Sequence, residues 1–166
     1  DALARQARAA APREFALGAG ASPGGAAKGA AKGAPSKPYR VFRGAQGARI
    51  FVGKGAAGND ALSFHVARPH DLWLHAKGRT GAHVIVPLDK GHTCDAALLV
   101  EAALLAAHFS EAREETIVEI EHTPRRYLRK PRGAAPGFVV VEREKVLVLR
   151  VEPDRLAALL AGEEIV

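Results

Sequence analysis

One cysteine, Cys94, stands in 166 residues. A single thiol excludes an internal disulfide and a zinc site built on several Cys ligands, and it suits a reducing compartment. Aromatic residues make up only 5% of the chain, with one tryptophan and two tyrosines, so each of these rings is informative wherever it falls. No apolar run approaches the roughly 20 residues that cross a bilayer, and no signal-peptide pattern is present. The expectation is a soluble, cytoplasmic protein with no membrane partner. Methionine is absent and the chain opens on Asp1, which reads as a piece of a longer protein. The length still suffices for one domain with a core of its own plus a tail.

What is present in excess is positive charge. The net charge is +6 and the sequence pI about 9.8, which points to a polyanionic partner. The excess is uneven: residues 1–38 hold six Lys or Arg against two acids and residues 39–90 hold eight against three, whereas from 91 onward ten basic residues meet thirteen acidic ones. The basic surface therefore belongs to the tail, to the first half of the domain, and to one local cluster in the second half.

Residues 1–17 read as a helical remnant broken by Pro12. Residues 18–38 contain Gly, Ala, Ser, Pro and Lys but no aliphatic side chain larger than Ala after Leu17. Such a segment cannot bury enough apolar surface to offset its ordering entropy, so a flexible basic linker is expected, with the domain running over 39–166. YRVFRG (39–44) and ARIFVG (48–53) alternate around a short turn and predict a β-hairpin. Lys54–Gly58 reads as a glycine-rich loop, with Asn59 or Asp60 as N-cap of a short helix through about Ala67. Ala/Leu-rich spacing predicts one long, mostly buried helix from Thr93, as its cap, to about Ala112. TIVEIEH (116–122) alternates as a strand, FVVVE (138–142) and KVLVLRVE (145–152) read as a second hairpin, and DRLAALLAGEE closes with a short helix. The expected class is α+β: a mixed, largely antiparallel sheet built from hairpins, one long buried helix and short flanking helices.

The stretch DLWLHAKGRTGAHVIV (71–86) is the centre of this pattern. Side chains of a strand point to opposite faces in turn. Leu72 and Leu74 therefore share one face with Ala82, Val84 and Val86 of the second run. Asp71, Trp73 and His75 share the other with His83 and Ile85, and Lys77 and Arg79 sit at its rim. The aliphatic face is expected to be buried and the second face to meet solvent or a ligand. Asp71 is expected to orient His75 or His83 by a hydrogen bond. Trp73 is either a core indole, the favoured reading, or a base-stacking platform. Asp71, His75 and His83 could alternatively ligate zinc or iron in a metal-dependent enzyme, but no HxH or HExxH spacing supports that.

Arg125, Arg126, Arg129, Lys130 and Arg132 surround Tyr127 with no acid among them. Five cations about one ring suit phosphate tracking with a stacking platform. Gly53-Lys54-Gly55 resembles a phosphate-cradling turn but lacks the Walker pattern of a nucleotide triphosphate site. Glycines beside Lys77 and Arg79 would let backbone amides approach a phosphate.

The order of short motifs, VGKGAAGND (52–60), DLWLHAKGRTGAHVIV (71–86), AALLVEAALLAAHFSEAR (96–113) and HTPRRYLRKPRGAAPGFVVV (122–141), resembles the NFACT-R domain, the RNA-binding module of NFACT ribosome quality-control proteins. That resemblance covers roughly residues 39–152. It implies a non-catalytic RNA-binding domain without a cofactor, which helps seat an NFACT-type protein on tRNA and the large ribosomal subunit carrying a stalled nascent chain. It also implies RNA-binding roles for Lys54, Asn59, Asp71, Trp73, His75, Lys77, Arg79 and His83 beside the 125–132 cluster. Some such domains stand alone or act with tRNA-modification machinery. A surface adhesin is disfavoured by the basic composition and the lack of an export pattern.

Overall fold

A computed structural model describes residues 36–165. The helical remnant expected at 1–17 and most of the linker expected at 18–38 lie outside the described residues. The elements run β1 (Tyr39–Arg43), β2 (Arg49–Gly53), α1 (Gly55–Ala61), β3 (Leu72–Ala76), β4 (Val84–Val86), α2 (Ala96–His108), β5 (Ile117–Pro124), β6 (Leu128–Arg129), β7 (Val140–Val141), β8 (Lys145–Arg150) and α3 (Pro153–Ala161). Six strands form one sheet in the order β1-β2-β4-β3-β5-β8, and β6 and β7 form a two-stranded sheet of their own; all pairings are antiparallel. The α+β class expected from the hairpins is the class observed.

Strand parity separates the core into two layers. Leu72 pairs with Val86 and Leu74 with Val84, and all four join Phe42, Ile50, Val52 and Ile120 in a cluster closed by the buried face of α2. That helix is almost wholly apolar because its Ala and Leu residues 102–107 are all inside. It begins at Ala96 behind Asp95, not at Thr93, and it ends at His108 rather than near Ala112. Ser110 sets the end. Its hydroxyl donates to Ala107 O and accepts from Ala112 N, folding the chain off the helix axis.

The opposite face departs from expectation. Trp73 pairs with Ile85, and both are buried in a second cluster with Leu62, Leu128, Val139 and Val141. A π-helical turn, Leu62–Val66, and the β6–β7 ribbon cover this face, so it does not meet solvent. The same cover overturns the expected hairpin of 138–142 with 145–152. β7 pairs with β6, whereas β8 pairs with β5. Arg143, in the left-handed region at φ 55°, turns the chain from one sheet into the other. The run 138–142 is apolar at successive positions because it packs as the second layer's roof, where alternation with water has no role.

α1 also starts earlier than expected. Gly55, at φ +69°, opens the helix directly after Lys54, and Asn59 lies inside the helix rather than capping it. Asn59 is fully buried, accepts a hydrogen bond from His83 N (2.9 Å) and donates one to Gly81 O (3.4 Å). It thereby ties α1 to the chain entering β4. The approach is close: a Cβ on Gly53 would stand 2.2 Å from Asn59 Oδ1, so only glycine fits there. Truncating Asn59→Ala leaves a buried His83 N–H without its acceptor, a cost of about 1–3 kcal/mol. Urea unfolding followed by Trp73 fluorescence should show that loss; an unchanged midpoint would mean the Asn59 bonds are replaced at no cost.

Candidate functional site

Two groups of side chains singled out in the sequence lie at opposite ends of β3. Leu72 pairs with Pro124 and Ala76 with Ile120, so the basic segment after Pro124 sits beyond one end and the Lys77–Gly81 turn beyond the other. Four residue steps of strand put them roughly 14 Å apart. Lys54 belongs to the Lys77 end, since its neighbour Gly53 donates to His83 O and Asn59 reaches Gly81. At that end Arg79 is engaged by Glu115 in an ion pair.

Between these ends lies the buried second face of the sheet. His75 and His83 are fully buried and Trp73 is 1% exposed. Their rings form a triangle with centroids 5.3–5.8 Å apart, two of the three contacts being edge-to-face. Asp71 takes no part in it. Its carboxylate accepts from Arg68 N (2.8 Å), Leu88 N (3.0 Å) and Arg68 Nη2 (3.2 Å), which corrects the expectation that it orients an imidazole. The physical reason is local: Asp71 precedes β3 and closes a turn back onto residue 68, an arrangement natural to Asp. The imidazoles have other partners. His75 Nδ1 lies 3.1 Å from Glu121 Oε2, and His83 Nδ1 lies 2.8 Å from Ser63 Oγ. Asp71, His75 and His83 are therefore not brought together as a metal site, and no cluster of three potential ligands occurs among the described residues. Trp73, His75 and His83, like Asp71 and Asn59, are buried, so none of them presents its side chain at the domain surface.

The basic segment separates into two sets. Arg125 donates from Nε to Ser63 O (2.6 Å), and its guanidinium lies 4.8 Å from the centroid of Phe64. Burial lowers its pKa from the usual arginine value. Lys130 pairs with Asp60 at 3.0 Å and donates to Phe138 O (2.9 Å), while Asp60 also accepts from Gly137 N. These two cations fasten the β6–β7 ribbon over the second face. Arg129 pairs with Glu142 at the surface, which contributes little. Arg126 and Arg132 remain exposed, and neither has a carboxylate partner among the described residues.

One residue of the site escaped the sequence reading. Arg143 places its guanidinium 5.1 Å from the Tyr127 centroid, and Arg126 places its own at 4.8 Å. Hydrogen bonding and charge from Arg126, with a smaller contribution from Arg143, hold the Tyr127 pKa below its usual value. No sequence signal pairs residues sixteen positions apart across the β6–β7 ribbon. The half-buried ring and the two exposed guanidinium groups make a surface suited to phosphates and bases.

Residues 38–142 match the model of the NFACT protein RNA binding domain. The chain belongs to that family. The NFACT-R domain is similar to the Rqc2 homolog RqcH of Bacillus subtilis, at 33% identity over 133 residues, which is 80% of this chain and 23% of that protein. It is also similar to a coiled-coil domain-containing protein 25 homolog of Dictyostelium discoideum, 35% identical over 92 residues, 52% of this chain and 45% of that protein. Among solved structures, the C-terminal part of the fibronectin/fibrinogen-binding protein from Streptococcus suis matches with a TM-score of 0.69 at 33% identity, over 76% of this chain and 50% of that one. The chain thus spans about a quarter of the length of its RqcH relative from Bacillus. The family match ends before β8 and α3. No helix among the described residues is long and apolar enough to cross a membrane.

His83, His108 and His122 make stability depend on pH. Burial, then repulsion from His75 and Lys130, holds His83 well below its ordinary pKa of 6.5. Half-buried His108 and His122 are also lowered, chiefly by burial. The unfolded chain therefore takes up protons that the folded one refuses. Their stabilising contribution is present in full above about pH 6.5 and is lost as the pH falls from there toward the lowered folded values. Each such group adds at most about 1.4 kcal/mol per pH unit. Unfolding free energies at pH 5.0, 5.8, 6.5 and 7.5 should fall on the acid side, and His83→Gln should shallow that slope. A flat profile would show that these imidazoles titrate alike in both states.

Proposed function

We propose that this NFACT-R domain is a non-catalytic RNA-binding module that seats a larger, cytoplasmic NFACT-type protein on tRNA and the large ribosomal subunit during quality control of stalled nascent chains. The carrying observation is the contact of Tyr127 with Arg126 and Arg143, at 4.8 and 5.1 Å from the ring centroid, both arginines exposed and without a carboxylate partner among the described residues. Positive charge on a flat aromatic platform suits phosphate neutralisation with base stacking, and it asks nothing of nucleophiles or metals. Family membership and the RqcH relatives support ribosome quality control as the setting. Lys54, Lys77 and Arg79, at the far end of β3, form a second contact for the phosphate backbone.

Affinity for structured RNA is expected to fall steeply with salt. Each neutralised phosphate contributes about 0.7–0.9 to the slope of log affinity against log salt. Replacing Arg126, Arg132 and Arg143 together by Ala should reduce that slope by about two to three units. Arg125→Ala and Lys130→Ala should instead lower thermal stability, since their charges are spent inside the protein. Fluorescence anisotropy between 50 and 300 mM KCl measures the first effect and thermal melts the second. A slope unchanged by the triple substitution would sink the platform reading.

A further inference from the structure

Beside the platform a cavity of about 450 Å³ opens at the Leu72–Pro124 end of the sheet, a size within the roughly 300–1,000 Å³ typical of small-molecule sites. Its lining contains no Asp or Glu. Arg126, Arg143 and Lys145 contribute cationic groups on one side; the ion pairs of this region belong to Arg129 and Lys130 instead. Leu72, Leu88 and Leu99 give the cavity an apolar part against the main core. Three imidazoles, His70, His92 and His122, and the hydroxyl of Thr93 complete the polar wall. Cys94, the only cysteine of the chain, is half-buried in the same lining.

Anionic charge at one side of the ligand, a flat apolar body and hydrogen-bonding edges satisfy all three features at once. Imidazole and hydroxyl groups both donate and accept, as base edges require, whereas an inorganic anion would leave the leucine side unused. A base within a duplex reaches such a cavity only by unstacking, which costs a few kcal/mol. Unpaired bases enter without that cost.

We propose that this cavity is a subsite for one unpaired nucleotide of RNA, its phosphate held by Arg126, Arg143 and Lys145 and its base lying against Leu72, Leu88 and Leu99. The proposal rests on the RNA-binding reading and deepens it: the platform gives general affinity, and the cavity gives a preference for single-stranded segments. Arg126 and Arg143, which line the cavity, also lie against Tyr127, so a phosphate they hold sits beside that ring.

Cys94 makes the idea directly testable in the full chain. Burial, reinforced by Asp95, pushes its thiol pKa up to about 11, so alkylation by iodoacetamide at pH 8.5 is slow enough to follow by mass spectrometry. Adenosine 5′-monophosphate at saturation should slow labelling at least fivefold, and inorganic phosphate at equal concentration less than twofold. A bulky maleimide adduct on Cys94, which leaves every charge in place, should weaken binding of a single-stranded RNA decamer at least tenfold and of a blunt RNA duplex less than twofold. Cys94→Ser treated with the same reagent controls for labelling elsewhere. Equal protection by phosphate and the mononucleotide would overturn the base-binding part, and the absence of protection by either would overturn the subsite. If single-stranded and duplex RNA bind alike, indifferent to the adduct yet dependent on Arg126, the cavity proposal fails while the RNA-binding reading stands. If neither RNA binds, both fail.

Discussion

Burial of Trp73 is the constraint on which the rest of the structure depends. A central strand that sets leucines on one face and an indole with two imidazole neighbours on the other cannot leave either face in water. The chain meets this with two different covers. α2 supplies an apolar face for the leucine side, at the usual gain of roughly 25 cal/mol for each Å² of apolar surface removed from water. The indole side is closed by the π-helical turn and the β6–β7 ribbon, whose inward residues Leu62, Leu128, Val139 and Val141 fill the second cluster. A two-stranded ribbon is marginal by itself, and here Arg125 and Lys130 pin it to Ser63, Asp60 and the 135–138 loop. The basic segment is thus first a structural clamp.

That double duty explains which cations remain for a partner. Arg125 and Lys130 point inward because the Ser63 carbonyl of the π-helical turn, the Phe138 carbonyl and Asp60 need partners, and a half-buried carboxylate without one is costly. The alternation of the 3-10 turn at Arg125–Tyr127 then sends Arg126 outward beside the tyrosine. Arg143, at the turn between the two sheets, arrives within 5.1 Å of the same ring's centroid. The platform is a by-product of how the second layer is closed, and its rigidity follows from the buried bonds beneath it.

Much of this was legible in the sequence and some was not, for reasons that can be traced. Period-two alternation correctly assigned every side chain of β3 and β4 to its face, because both strands are central and in antiparallel register. It could not say what covers the second face, since most of that cover, Leu128, Val139 and Val141, comes from residues more than 50 positions beyond Trp73. Residues 138–152 misled because two apolar runs separated by two residues form a hairpin in the simplest reading. The left-handed backbone at Arg143 overrides it, and arginine carries no signal for that conformation. Asn59 looked like a cap because Asn before an apolar run commonly is one; the deciding features were Gly55 and the close approach of Gly53, visible only in three dimensions. Asp71 shares strand parity with His75, yet it sits one residue outside the strand, where a carboxylate finds backbone amides before it finds a ring.

The same logic separates the candidate residues by mechanism. Substitutions at Asn59, Asp71, Trp73, His75 or His83 act on the fold, and any effect on RNA should scale with lost stability and vanish when folded populations are matched. Substitutions at Arg126, Arg132 or Arg143 remove exposed cations, and on the proposed RNA-binding reading they should change salt dependence and leave the melting temperature nearly fixed. A residue's burial therefore predicts which observable it moves. Arg129 is the informative intermediate: its exposed pairing with Glu142 holds it weakly, so a phosphate competes for it at little cost. Its contribution to binding should exceed that of Arg125 even though both stand in the same basic run.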